Sequence, residues 1–239
     1  MSNSGEPMIW KNIWDKKGNV APDGLDLATL IAIDGFDTGA GKFPVDSWLA
    51  FVEQTTVRLR LQKGQKILEV GSGAGAYLLP IYNAGVVVYG IDYCESLVRL
   101  CAQTMALGTF KVSEANCIPF EDECFDAVVS NSVFQYFDDL GYAETVLSEI
   151  ARVLKKNGRA ALLDINDAAK KEKYESIRRR KLGAEEYDRL YGNLKHQFYE
   201  KEWFDRLATK LDLNCEIQDQ NIKEYDNAQF RYNVFLEKG

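Results

Sequence analysis

The sequence predicts an α/β protein in which a mostly parallel β-sheet carries helices on both faces. A short apolar run that ends at Val70 is followed by a glycine-rich turn, Gly71–Gly75, and then by a helical stretch. A second apolar, β-branched run, Val86–Ile91, ends at an acid, Asp92. Strand, glycine turn, helix, strand and acid, in this order, form half of a nucleotide-binding sheet.

The segment before this sheet is predicted to be helical. Trp10 and Trp14 are four residues apart and would lie on one side of a first helix, which we expect Lys17–Asn19 to end. A loop rich in glycine and acids, 34–41, separates the second helix from the third. Apolar residues recur at helical spacing in three segments, 9–15, 25–33 and 45–59.

Beyond the second strand, helices and strands continue to alternate. Phe125–Ser130 is almost entirely apolar, as strands in the centre of a parallel sheet are. Ala143–Leu154 has a continuous apolar face, and Asn157–Gly158 is expected to cap the end of that helix. The other predicted elements are the helices 97–105 and 203–211 and the strands 110–112, 159–165, 215–218 and 230–236.

Composition limits the range of functions. A chain of 239 residues with 46% hydrophobic content is sufficient for one large domain with a core. The net charge of −7 argues against a broad basic surface for nucleic acid. The cationic run Arg178–Lys181 is flanked by glutamates, and we interpret it as a solvated helix face rather than a phosphate-binding or RNA-binding patch.

The cysteine and histidine counts bear on metals and on the compartment. Five cysteines without a C-x-x-C motif, together with a single histidine, argue against a zinc site. Free thiols fit a reducing cytoplasm, where we expect this protein. No window of the sequence approaches a transmembrane span, so no membrane partner is expected.

The spacing of the glycine turn indicates the type of ligand. The dinucleotide fingerprint is G-x-G-x-x-G, whereas Gly71, Gly73 and Gly75 follow G-x-G-x-G with Glu69 just before them. A carboxylate at this point would repel a pyrophosphate and attract a cation. An adenosine ribose with a positive amino-acid head, as in S-adenosylmethionine (SAM), fits better than a dinucleotide.

The run ILEVGSGAG, followed by GID at the next strand, resembles motif I and the following acid of the class I SAM-dependent methyltransferases. The resemblance covers about residues 66–165. It implies the Rossmann-like fold of that family, with a seven-stranded sheet, a helical cap in 1–60 and the SAM-binding domain in 61–239. A polar helical stretch near 166–200 is too long for a connection, and we interpret it as an inserted lid after the fifth strand.

The resemblance also implies which residues contact the cofactor. The glycine turn would approach the methionine half of SAM, Asp92 would hold the ribose hydroxyls, and Glu69 would order the site. A turn without a ligand and a helix N-cap at Asp92 are the alternatives. The predicted cofactor residues are Glu69, Gly71, Ser72, Gly73, Gly75, Asp92, Tyr93, Glu114, Ala115 and Asn131.

The adenine side of the site is expected to follow the third strand. Ser113–Phe120 resembles the family's GDAxxLPF segment, with Glu114 where aspartate is common. By resemblance, Glu114 accepts from the adenine amino group and the Ala115 amide meets the ring. Tyr93 is placed to stack on adenine, or is a surface aromatic. The resemblance also implies that Asn131 belongs to a strand end beneath the sulfonium.

Catalytic residues are harder to assign. Many relatives place a histidine near Gln135 or Tyr136, and this chain does not. Because SAM is an activated donor, the enzyme mainly aligns the reactants and excludes water, and a hydroxyl acceptor benefits from a general base. His196 is the first candidate for that base or for orienting the acceptor, with Tyr136 as the second; a surface histidine is the alternative. Arg231 could meet an anionic acceptor, but pairing with Glu224 or Asp226 is the preferred interpretation.

We therefore predict a SAM-dependent methyltransferase that acts on an oxygen or nitrogen of a small molecule, such as a sugar, a nucleotide-linked compound or a natural-product intermediate. No nucleic-acid partner is expected, and a homodimer is compatible with the sequence. The N-terminal cap either covers the cofactor, as in the family, or only anchors a packing helix. The alternative functions are an NAD-dependent oxidoreductase and a non-catalytic SAM-binding subunit.

Overall fold

The computed structural model describes residues 7–19, 24–37, 39–191 and 196–239. The strands in these residues are Lys66–Val70 (β1), Val87–Asp92 (β2), Thr109–Val112 (β3), Phe125–Asn131 (β4), Leu154–Asn166 (β5), Leu213–Asp219 (β6) and Arg231–Lys238 (β7). The helices in these residues are Pro7–Asn19 (α1), Leu27–Ile33 (α2), Val45–Arg58 (α3), Leu78–Asn83 (α4), Glu95–Thr104 (α5), Leu140–Val153 (α6), Lys171–Leu182 (α7), Ala184–Tyr191 (α8) and Lys201–Lys210 (α9).

The described strands form one seven-stranded sheet in the order β3-β2-β1-β4-β5-β7-β6. Strands β1 to β5 are parallel to one another, while β7 runs antiparallel to both β5 and β6. The chain order reverses at β1, which has β2 on one side and β4 on the other. Ligands of open parallel sheets bind at such a switch point, outside the carboxyl ends of the strands. The predicted Rossmann-like fold, a mostly parallel seven-stranded sheet with helices on both faces, is confirmed.

Alternating residues of the strands build two cores. Ile67 of β1 belongs to the core that contains α3, α4 and α5, whereas Leu68 and Val70 belong to the core that contains α6 and α9. This alternation follows from the two-residue period of a strand. Central strands are apolar on both faces for this reason, as the sequence of β4 indicates.

Two helix boundaries differ from the prediction. Helix α1 continues to Asn19 through Gly18. A Cβ at Gly18 would lie 2.5 Å from Ser96 Oγ, so the glycine allows α1 to pack closely on α5. Helix α6 ends at Val153 and β5 begins at the next residue, so Asn157–Gly158 is not a helix cap. The left-handed φ of 61° at Asn157 belongs to an irregular start of β5.

The segments before β1 and after β5 both lie over the carboxyl edge of the sheet. Trp48 of α3 is buried and donates from Nε1 to the carbonyl of Ala76, 3.1 Å away. Between β5 and α9 the chain forms α7 and α8. After α8 the chain returns to the end of β5, where the Tyr199 amide donates to Asn166 O at 2.9 Å.

Within the described residues, no helix has both the length and the apolar character needed to span a bilayer.

Candidate active site

A cavity of about 1080 Å³ opens at the carboxyl ends of the parallel strands. One wall is formed by the residues that follow β1, by the end of β2 and by the residues that follow β4. The opposite wall comes from α1 and α7, through side chains such as Trp10 and Tyr174. The switch point of the sheet and the segments covering it therefore enclose one space.

The turn after β1 is anchored to β2 through its backbone. The amides of Gly71 and Ser72 both donate to Ile91 O, at 2.8 and 2.9 Å. Gly73 has φ +52°, and a Cβ there would lie 2.3 Å from Asp34 Oδ1. A side chain is therefore excluded at Gly73 by its neighbour as well as by its backbone conformation.

Asp92 is held by the backbone of the same turn. Its Oδ2 accepts from the Gly73 amide at 3.0 Å and its Oδ1 accepts from the Cys94 amide at 2.9 Å. The side chain is buried yet lines the cavity. Burial raises the pKa of Asp92 to about 6, although its two amide hydrogen bonds act in the opposite direction. The carboxylate has lone pairs left for further donors on the cavity side.

A second carboxylate reaches the turn from the N-terminal segment. Asp34 follows α2, and its Oδ1 accepts from the Ala74 amide at 2.6 Å while its Oδ2 accepts from the Ala76 amide at 3.2 Å. Removal from water raises the pKa of Asp34 to about 7, and the nearby charge of Asp92 raises it further. In the sequence, Asp34 stands out only as part of an acid-rich loop, and no motif gives it a role.

Glu69 completes a group of three carboxyl groups. It is 2% exposed, and its Oε2 has no hydrogen-bond partner among the described residues. Burial raises the pKa of Glu69 well above its usual range, and the charges of Asp34 and Asp92 contribute in the same direction. Three carboxyl groups around one turn constitute a place for a cation, since a positive group would offset their repulsion.

The residues predicted to surround adenine lie on one side of the cavity. Tyr93, Glu114 and Ala115 all line it, and Asn131 lines it from the end of β4. Glu114 is exposed, and its Oε2 accepts from the Tyr142 hydroxyl at 3.1 Å. Of the ten predicted cofactor residues, only Gly75 lies outside the described cavity lining. A Cβ at Gly75 would meet Met105 Cε at 2.6 Å, so the glycine allows the turn to pack against the end of α5.

The two catalytic candidates meet in an aromatic cluster. His196 stacks on Trp10 with ring centroids 5.2 Å apart, and Tyr136 lies 5.6 Å from the same imidazole. Tyr136 also contacts the edges of Trp10 and Trp14 at 4.7 and 5.6 Å. Lys195 and the residues back to 192, which precede His196, lie outside the described residues. The fold thus brings His196 and Tyr136 together, although they are far apart in the sequence.

Protonation of these two candidates is set by burial. Desolvation lowers the pKa of His196 to about 3, and the positive charges of Arg178 and Arg231 lower it further. The imidazole is therefore neutral at pH 7. Desolvation raises the pKa of Tyr136 above its usual range, so the phenol keeps its proton.

A buried ion pair lies beside this cluster. Arg231 Nε is 3.6 Å from Asp164 Oδ1, and both side chains are 3% exposed. The preferred interpretation that Arg231 pairs with Glu224 or Asp226 is therefore wrong. Asp164 and Ser132, whose hydroxyl donates to Asp164 Oδ2, both have a left-handed φ of 60°, which is uncommon outside glycine and frequent at functional sites.

No group of three or more His, Cys, Asp or Glu side chains in the described residues has an arrangement that could hold a metal ion. The cavity instead combines backbone amides, acids, aromatic rings and cations. These groups suit an organic ligand with a positive end.

Residues 68–162 match the family model described as a methyltransferase domain. A demethylmenaquinone methyltransferase from Thermotoga maritima is 31% identical over 103 residues, which are 42% of this chain and 44% of that protein. A tRNA (carboxymethyluridine(34)-5-O)-methyltransferase from Xenopus tropicalis is 28% identical over 200 residues, 74% of this chain and 31% of that protein. The chain thus spans less than half the length of these curated relatives.

Solved structures share the fold at low identity. Magnesium protoporphyrin IX methyltransferase from Synechocystis PCC 6803 with bound SAM superposes with a TM-score of 0.65 at 13% identity, covering 100% of both chains. The [4+2]-cyclase SpnF superposes with a TM-score of 0.60 at 16% identity, covering 80% of each chain. The second example shows that the fold alone does not determine which reaction a protein catalyses. Residues 68–162 thus match a methyltransferase domain, and the seven-stranded fold is that of solved SAM-dependent methyltransferases.

Proposed function

We propose that this protein transfers a methyl group from SAM to an oxygen or nitrogen of a small-molecule acceptor. One observation carries the proposal: a single cavity contains the carboxylate-rich turn after β1 and, facing it, the cluster of Trp10, Tyr136 and His196. The first end suits a positively charged cofactor, and the second suits an acceptor. When bound, SAM supplies a methyl group activated by the sulfonium charge.

The chain's own residues fit this cofactor. Asp92 presents a carboxylate that is fixed by two amides and can accept from ribose hydroxyls. Glu69 has a buried oxygen without a partner among the residues that the structure describes, which suits a positive amino group. Tyr93 has its carbonyl fixed by Lys11 Nζ at 2.9 Å, with the same ammonium 5.6 Å from its ring, so the ring is positioned to cover adenine.

The wall opposite the sheet belongs to the two segments proposed as cap and lid. Helix α1 supplies Trp10 and Trp14, and α7 supplies Tyr174. We infer that residues 1–60 and about 166–200 close over the reactants and exclude water, which aids a displacement between two bound groups. A cavity of about 1080 Å³ has the size of a pocket for small-molecule ligands.

The aromatic cluster would align the acceptor and accept its proton. A neutral His196 can take a proton at any pH above its depressed pKa, and stacking on Trp10 fixes the plane of the ring. Tyr136 retains its proton and therefore acts as a hydrogen-bond donor to the acceptor, not as a base. The combination fits an acceptor hydroxyl or amine held edge-on to the imidazole.

The first experiment is a calorimetric titration of the purified protein with SAM, S-adenosylhomocysteine and NAD. We expect heat from the two adenosyl ligands and none from NAD. Binding of NAD alone would refute the proposal in favour of an oxidoreductase. Binding of SAM without turnover on any acceptor, in a panel that includes tRNA because some relatives act on it, would favour a non-catalytic subunit.

Two substitutions separate cofactor binding from catalysis. Asp92→Ala is expected to weaken SAM binding by about 1 to 3 kcal/mol, the cost of unmade hydrogen bonds to a buried group. His196→Ala is expected to lower kcat far more than SAM affinity, and His196→Gln controls for ring volume. An equal loss of both properties in His196→Ala would indicate that the imidazole only maintains the structure.

A further inference from the structure

Besides the three carboxyl groups, the cavity lining contains a buried arginine with unused donors. Arg231 is the first residue of β7, is 3% exposed and lines the cavity. Its Nε and Nη1 have no hydrogen-bond partner among the described residues. Its Nη2 has only a long contact, 3.5 Å, with the Tyr174 hydroxyl. An arginine that leaves two of its three nitrogens unsatisfied in a buried position is energetically unfavourable unless a ligand completes it.

The neighbouring carboxylate does not fill this role. Asp164 accepts from the Tyr225 hydroxyl at 3.1 and 3.0 Å through its two oxygens, and the Ser132 hydroxyl also donates to it. Its Oδ1 remains 3.6 Å from Arg231 Nε, beyond hydrogen-bond distance. Asp164 therefore balances the charge of Arg231 while its lone pairs serve two hydroxyl groups.

A second guanidinium group adds positive charge at the same place. Arg178 of α7 lies 5.1 Å from the centre of the Tyr174 ring, and Arg231 lies 5.3 Å from it. Both arginines line the cavity and both influence His196. The two guanidinium groups thus both place positive charge at this end of the cavity, and Asp164 is the carboxylate beside Arg231.

We propose that Arg231 binds an oxyanion of the methyl acceptor, a carboxylate or phosphate group that is not itself methylated. This proposal rests on the proposed function, and it specifies the acceptor as an acid. The anion would complete the hydrogen bonds of Arg231 and place the remainder of the acceptor between Arg231 and the imidazole of His196. The aromatic rings of Trp10 and Tyr136 beside it suit a planar acceptor body.

Binding of such an anion would also affect the base. The positive charge of Arg231 contributes to the low pKa of His196. An anion at Arg231 would offset that charge and raise the pKa of the imidazole, so an acidic acceptor would strengthen the group that removes its own proton. A neutral acceptor would leave the imidazole a weak base.

Three aromatic probes of similar shape test the proposal: benzoate, phenyl phosphate and the neutral benzamide. Each is titrated by calorimetry into protein saturated with S-adenosylhomocysteine. We expect at least one acid to bind more tightly than benzamide by roughly tenfold or more, as for a hydrogen bond between charged groups. The tighter of the two acids then distinguishes a carboxylate from a phosphate. Equal affinity for acids and amide, or no binding of either acid, would overturn the proposal.

Substitutions then assign the preference to one side chain. Arg231→Gln should remove the difference between acid and amide while S-adenosylhomocysteine affinity stays within about twofold. Arg159→Gln is the matched control, because Arg159 pairs with Glu237 at 2.6 Å outside the cavity lining and its loss should leave the difference intact. A preference for acids that survives Arg231→Gln would contradict the assignment.

Two further measurements keep the outcome interpretable. Arg231→Gln leaves Asp164 as an uncompensated buried charge, so the double variant Arg231→Gln/Asp164→Asn serves if the single variant does not fold. Binding of S-adenosylhomocysteine is measured first in every variant. If the unsubstituted protein does not bind it, the proposed function fails; if it binds but shows no preference for acids, only the anion site fails.

Discussion

The carboxyl groups around the glycine turn predict that SAM binding depends on pH. In the free protein the pKa of Asp92 is raised to about 6 and that of Asp34 to about 7, so both are partly protonated below neutrality. A cationic cofactor favours their ionised forms. Because the free protein then holds protons that the complex releases, SAM affinity should rise as pH rises from 5.5 to 7.

The magnitude follows from the two pKa values. If Asp34 and Asp92 must both ionise and Glu69 keeps one protonation state, the affinity should increase roughly 60-fold between pH 5.5 and 7, or about 2.4 kcal/mol. If only Asp92 must ionise, the increase is about fourfold over the same interval. Proton release should fall from about 1.7 per SAM at pH 5.5 to about 0.6 at pH 7 when both take part. The range stops at pH 7 because free α-amino groups titrate near 8.

Calorimetry in two buffers of different ionisation enthalpy measures both quantities at once. Asp34→Asn should leave only the fourfold pH dependence that comes from Asp92. Asp92→Asn should leave the larger pH dependence that comes from Asp34, and it should also weaken SAM binding at every pH. A SAM affinity that is constant from pH 5.5 to 7, with heats independent of the buffer, would show that the cofactor does not meet these carboxyl groups. The reasoning about a cation site would then be wrong.

Two further predictions concern the contacts that hold the turn. Gly73→Ala should lower the melting temperature more than Gly64→Ala does. Both glycines have a positive φ, but only a Cβ at Gly73 would meet a neighbour, Asp34 Oδ1 at 2.3 Å. Equal decreases in melting temperature would mean that backbone strain alone matters. Trp48→Phe removes the donor to Ala76 O and should cost about 1 to 3 kcal/mol in urea unfolding, and an unchanged midpoint would indicate that this carbonyl finds another partner.

The sequence predicts those features that depend on a few consecutive residues. A run of β-branched residues, a glycine turn and an acid specify β1, the turn, β2 and Asp92 because strand period, turn geometry and strand-end polarity are properties of a few consecutive residues. The same holds for α6 as an amphipathic helix. Its end was predicted a few residues late, since the pairing of Leu154 with Phe125 of β4 begins the strand before any glycine is reached.

The site depends on contacts between distant segments, which one sequence does not reveal. Asp34 lies 40 positions from the Ala74 amide that it accepts from, and no local motif marks it. Asp164 is likewise 61 positions from Tyr225, and the partner of Arg231 was predicted among near neighbours rather than on β5. Acid-rich loops and strand arginines are common, so composition alone does not single out these residues.

The sequence by itself determined the fold class, the glycine turn and the acid of the second strand, because each follows from residues that are adjacent in the chain. Only the tertiary structure decided the charge distribution of the cavity. Folding brings Asp34 beside the turn and Arg231 beside His196, and burial then shifts the pKa of His196 to about 3. Desolvation and Coulomb interactions depend on distance in space rather than on separation in sequence, which is why they appear only once the chain is folded.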